Sequence, residues 1–113
     1  MTTPDEVERR YSLRTAVARY DELRHRDSLA AGMDEDLPPD PAVLPLTRDE
    51  ALELLALGEV IARKAGYGRQ LTVRTARAAG ASWSQIGAAL GTTKQSAWES
   101  HTRWIDEQEP AVP

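Results

Sequence analysis

The side chains best equipped for chemistry lie close together near the C-terminal end: Thr93, Lys94, Gln95, Trp98 and Glu99. On a helix, positions 94, 95, 98 and 99 share one broad face, because residues three and four apart are neighbours. That face carries an ammonium, a carboxamide, an indole and a carboxylate, with a hydroxyl at its N-terminal edge. Such groups suit the reading of base edges: glutamine pairs bidentately with adenine, lysine reaches guanine or a phosphate, threonine touches a thymine methyl or a phosphate, and glutamate accepts from cytosine. Trp98 adjoins the face and has two readings, packing into the core or contact with a thymine methyl or sugar. Arg69, Arg74, Arg77, Ser82 and Arg103 flank the set in sequence and are candidate phosphate contacts, which position a protein on a duplex without specifying sequence.

Two short helices must hold this face. Ser82 followed by Gln85 is a capping box that satisfies the first amides of a helix from both sides. Ile86 and Leu90 continue that helix at helical spacing, and Gly91 ends it, since glycine takes a left-handed backbone without steric cost. Gly87 is the small residue that two crossing helices need where their backbones approach. Thr92 and Thr93 cap the second helix. Ile86, Leu90 and Ala97 are the expected buried contacts, Trp83 and Trp104 the expected core anchors, and His101 stands at a half-buried position that would otherwise be apolar.

The stretch GASWSQIGAALGTTKQSAW resembles the helix-turn-helix of small bacterial regulators, and the DNA-reading part of region 4 in sigma factors. Gly87, Gly91 and the TTKQSA opening of the second helix carry the likeness. Thr92 departs from it where a branched aliphatic is usual, as do Ser100 and His101 where an apolar residue is usual. The resemblance covers roughly a fifth of the chain tightly and implies a sequence-specific transcriptional regulator whose second helix enters the major groove. Ala and Arg richness, with Lys64 and Lys94 the only lysines and no Phe, fits a GC-rich, actinobacterial-type source.

Charge supports this expectation once it is divided along the chain. The whole carries −4, but residues 1–59 hold seven basic and fourteen acidic side chains, whereas residues 60–105 hold seven basic ones against Glu99 alone. A basic block coincident with the two helices is an electrostatic footprint for DNA. With 113 residues the chain is short for an enzyme with a deep cleft. It has no Cys, two histidines far apart, no serine set beside a plausible histidine and no phosphate-binding glycine loop, so no catalytic residue, metal site or cofactor is expected. No signal peptide is recognisable, and Glu53 and Glu59 interrupt the most apolar stretch before it could span a bilayer. A cytoplasmic protein without a membrane partner is expected.

The pattern predicts an all-α fold, a helical bundle containing a C-terminal helix-turn-helix, with an N-terminal amphipathic helix. In segment 1–31, residues 5–30 place Val7, Leu13, Ala16, Val17, Tyr20 and Leu23 on one narrow stripe of a single long helix. This arm either lies on the main domain or pairs with its copy in a second chain. Segment 32–46, with four prolines and the acidic run Asp34, Glu35 and Asp36, reads as an extended linker. A DNA-binding domain over 47–106 follows, with the helix-turn-helix at 82–104 and a tail at 107–113. Thr47 and Glu50 cap its first helix, the core helix, which Leu52, Leu55, Val60 and Ile61 make strongly apolar. A second helix from Arg69 to Ala79 turns Leu71, Thr75 and Ala78 inward.

Two functions remain after these exclusions. One is a DNA-binding regulator acting as a homodimer, because one small recognition helix gives limited affinity and two copies can span half-sites. The other is a protein-interaction module that binds RNA polymerase or another regulator.

Overall fold

The computed structural model describes residues 1–108, in which six helices follow one another and no strand occurs: α1 (Pro4–Arg10), α2 (Leu13–Ala31), α3 (Arg48–Tyr67), α4 (Arg69–Ala78), α5 (Trp83–Leu90) and α6 (Lys94–Gln108). Of the expected tail, Glu107 and Gln108 continue α6, and 109–113 lie outside the described residues. The chain divides into two compact units, Met1–Gly66 and Tyr67–Pro113.

In the first unit, the single long N-terminal helix expected from the stripe is broken in two. Tyr11 and Ser12 are extended, and Ser12 starts α2 through a reciprocal box in which its hydroxyl accepts from the Thr15 amide while the Thr15 hydroxyl accepts from the Ser12 amide. The break lets Val7 of α1 join Ala16 and Leu23 of α2 in a core with Leu54, Ala56, Leu57 and Val60 of α3. Leu13 and Val17, from the same stripe, are exposed. The N-terminal helices thus pack on α3 within the chain, and α3 belongs with them rather than with the helices that follow. On α3 itself the buried leucines are Leu54 and Leu57, whereas Leu52 and Leu55, which help make the helix apolar in sequence, are 45% and 70% exposed.

The proline-rich segment is not a plain extended linker. Asp40 donates its amide to the Leu29 carbonyl and Met33 to that of Leu37, while the Asp34 and Asp40 carboxylates accept from the amides of Asp36, Leu37 and Ala42. These local turns return the chain from the end of α2 to the start of α3, where Thr47 and Glu50 form the expected reciprocal cap.

Ion pairs then bind α1 and α2 to α3. Arg19 reaches Glu53 at 2.8 Å, Arg26 bonds Glu50, and Arg63 reaches Asp5 at 2.7 Å and Glu8 at 3.5 Å. The pairs 19 with 53 and 26 with 50 run in opposite directions along the two helices, so α2 and α3 are antiparallel. The Thr47 amide, followed by Arg26, holds the Glu50 carboxyl down at about 2, and the Arg19 guanidinium lowers that of Glu53.

In the second unit, α4, α5 and α6 all touch one another. The core takes one residue from each, Val73, Ile86 and Ala97, with Ala76, Ala81 and Trp83 packed around them.

Candidate nucleic-acid interface

Local signals fix α5 and α6. Gly80 leaves α4 at φ +96, and Ser82 then caps α5: its hydroxyl accepts from the Gln85 amide at 3.1 Å, and its own amide donates to the Gln85 carboxamide at 2.9 Å. Gly91 closes α5 in the left-handed region at φ +70. Thr92 donates its amide back to the Gly87 carbonyl at 2.8 Å, and the Thr93 hydroxyl accepts from the Ser96 amide at 3.0 Å to open α6. The backbone of this turn lies directly against Gly87. A Cβ there would stand 2.9 Å from the Lys94 nitrogen, 2.9 Å from the Thr93 carbonyl carbon and 3.0 Å from the Thr92 oxygen.

The inward side of α6 is Ala97 and His101. His101 is buried, stacked on the Trp104 ring at 5.6 Å between centroids and tilted against Trp83 at the same distance. Its Nδ1 lies 2.9 Å from the Gln70 carboxamide oxygen, a contact that suits the Nδ1–H tautomer. Burial, then the nearby Arg74 charge, push its pKa below the ordinary imidazole value. The histidine and its two tryptophans supply the apolar packing that the polar residues after Ala97 put in question. Leu90, expected in this core, is 39% exposed. On α4 the inward residues are Val73, Ala76 and Gln70, while Leu71, Thr75 and Ala78 are exposed. The stripe chosen is the one whose valine meets Ile86 and Ala97.

The outward side of α6 carries the candidate base readers. Lys94, Gln95, Trp98 and Glu99 are exposed, and Thr93 stands at their N-terminal edge with its oxygen engaged as the cap. Trp98 is 46% exposed, which removes its reading as a core residue. Gln95 donates its carboxamide nitrogen to Glu99 at 2.9 Å, so the two readers orient each other. Lys94, Gln95 and Trp98 share a shallow depression of about 340 Å³ with Ser82, Trp83 and Ser84 from the start of α5. Ser82, a candidate phosphate contact, and the readers on α6 therefore meet in one recess. Trp83 and Ser84 were not anticipated as its lining, although their position next to the cap was a usable signal.

The arginines differ among themselves. Arg69, Arg74 and Arg103 are exposed. Arg77 is exposed but engaged, donating to the Ala81 carbonyl at 2.9 Å with its guanidinium 5.0 Å from the Trp83 ring centre, so it clamps the α4–α5 corner. Among the described residues, no ion pair involves Arg69, Arg74, Arg77, Lys94 or Arg103. The basic block is smaller than the sequence suggested, because Arg63 and Lys64 lie in the first unit and Arg63 is paired there. Residues 67–108 still hold five cations against Glu99, Asp106 and Glu107.

Among the described residues, no cluster of three His, Cys, Asp or Glu side chains could hold a metal, and no helix is long and apolar enough to cross a membrane. No protein-family model, curated protein or solved structure matches this chain.

Proposed function

We propose that the chain is a DNA-binding transcriptional regulator in which α5 and α6 act as a helix-turn-helix and α6 reads bases in the major groove. The observation that carries this reading is the exposed start of α6: Lys94, Gln95 and Trp98 open onto one recess with the capped start of α5, among cations that have no carboxylate partner in the described chain. A duplex supplies what such a surface lacks. Phosphates neutralise Arg69, Arg74 and Arg103, the first amides of α5 favour an anion, and base edges replace the Gln95 to Glu99 bond. A homodimer extends the contact to two half-sites about one helical turn apart.

The test is selection of bound duplexes from a random-sequence pool at near-physiological salt, with Lys94→Ala/Gln95→Ala in parallel. Wild-type protein is expected to enrich a two-fold symmetric site, and the double variant to lose that preference while keeping its fold and weak non-specific binding. Three phosphate-neutralising arginines per chain predict that log K falls with log salt at a slope of about −2.7 per protomer. A folded protein that enriches nothing and shows no salt slope would be a protein-interaction module, docking on RNA polymerase or another regulator.

A further inference from the structure

We infer that the outer face of α2 and α3 is where a second copy of this chain docks; this deepens the regulator reading, since symmetric half-sites need two copies. Two shallow depressions lie side by side on this face and share Tyr20 and Gly58. Their apolar lining includes Val17, 37% exposed, and Leu55, 70% exposed, with the half-buried Tyr20 and Ile61 between them, which makes one continuous apolar surface.

The charges around this surface say what covers it. Arg24 stands at one side, its guanidinium 5.5 Å over the Tyr20 ring and donating to the Tyr20 hydroxyl at 3.3 Å, with Asp27 no nearer than 3.9 Å. Asp21 and Glu59 line the depressions and make no ion pair among the described residues. The rim carries Arg24 beside Asp21, Asp27 and Glu59, so an acidic partner meets like charge and a basic one still has to accommodate Arg24. A copy related by a two-fold axis through the depression between Arg24 and Glu59 instead sets Arg24 of each chain on Glu59 of the other, twice, with Leu55 and Tyr20 enclosed.

The size is also right. Helices of 19 and 20 residues span about 30 Å. Side by side at an ordinary separation they present a face of roughly 600 Å² in projection, of the order of the ~800 Å² of accessible surface that each partner buries in a standard interface.

Sedimentation equilibrium of the full chain tests the inference. A dimer is expected well below ~100 µM. Leu55→Asp, at an exposed position, should weaken it about a hundredfold, because the symmetric contact loses two leucines, with the far-UV spectrum unchanged and the melting temperature equal to that of the wild type diluted to monomer. Arg24→Glu and Glu59→Arg should each weaken the dimer alone, since each then faces like charge, and an equimolar mixture of the two should restore it as a heterodimer. A wild-type chain that stays monomeric at ~100 µM, or a mixture no tighter than its components, overturns the docking face. A monomer that still selects a duplex sinks only the dimer, and a dimer that selects none sinks only the regulator reading.

Discussion

Gly87→Ala is the substitution for which the geometry is most exacting. An alanine inside a helix ordinarily gains ~1 kcal/mol over glycine. At Gly87 the added methyl would stand 2.9 to 3.0 Å from three backbone atoms of the turn into α6, and none of them belongs to a side chain that could swing aside. Overpacking typically costs about 1–3 kcal/mol, and three rigid backbone contacts put Gly87 at the upper end of that range. The net effect expected is a loss of about 2 kcal/mol, a fall of roughly 10 °C in melting temperature for a small domain. Gly66→Ala makes the opposite case, because nothing lies within 4 Å of its added carbon and only the helical gain applies. Differential scanning calorimetry of the two variants beside the wild type should therefore give shifts of opposite sign. If Gly87→Ala melts at or above the wild-type temperature, α5 and α6 do not approach at Gly87, and the placement of Lys94 and Gln95 next to the α5 start fails with it.

The buried imidazole sets a pH dependence. The folded pKa of His101 lies below its unfolded value of about 6.5, so the unfolded chain binds more protons, and its contribution to stability is present above that pH and lost as pH falls toward the folded pKa. Urea midpoints followed by tryptophan fluorescence should drop between about pH 7 and 5, before the lowered carboxyls of Glu50 and Glu53 titrate, and His101→Phe should flatten the curve; an unchanged slope in that variant would remove the histidine from the account. Arg74 and Arg77 should separate in a salt titration of DNA binding: Arg74→Ala reduces the slope by about one, whereas Arg77→Ala chiefly lowers stability, by about 1 kcal/mol, through its lost contacts with Trp83 and the Ala81 carbonyl. Equal effects of the two on the slope would refute the corner role of Arg77.

How much of this was legible in sequence depended on how local the signals were. The start of α5, its end at Gly91, the close approach at Gly87 and the box at Thr47 all follow from residues within a few positions of each other, and each appears where the spacing put it. The break at Tyr11 and Ser12 was missed because Ser12 is answered by a threonine hydroxyl, not by the glutamate or glutamine that marks a capping box. The inward faces of α3 and α4 were not legible for a different reason. In α3 the stripe of Leu52 and Leu55 and the stripe of Leu54 and Leu57 are equally apolar, and in α4 Leu71 competes with Val73 two positions away. Periodicity cannot choose between such stripes; the partner surface does, through Val7, Ala16 and Leu23 in one unit and Ile86 and Ala97 in the other. Grouping α3 with the N-terminal helices is likewise a non-local fact, resting on pairs such as Tyr11 with Glu53, 42 positions apart.

Net charge was the weakest guide to the site, and the reason is pairing. Of the nine basic side chains in residues 1–66, Arg19, Arg26 and Arg63 are each within 4 Å of a carboxylate that also ties two helices together, so their charge is spent on the fold. The five cations of residues 67–108 share their unit with three acids, Glu99, which accepts from Gln95, and Asp106 and Glu107 at the far end of α6, and no ion pair forms among them. Arg77 is fixed at its corner by Trp83 and the Ala81 carbonyl, but Arg69, Arg74 and Arg103 make no ion pair, and their long side chains keep their freedom until an anion arrives. A chain of net −4 can therefore present a DNA-binding surface, because what steers a phosphate is the unpaired charge within about one Debye length of the recess at the start of α6 and not the sum over the whole molecule.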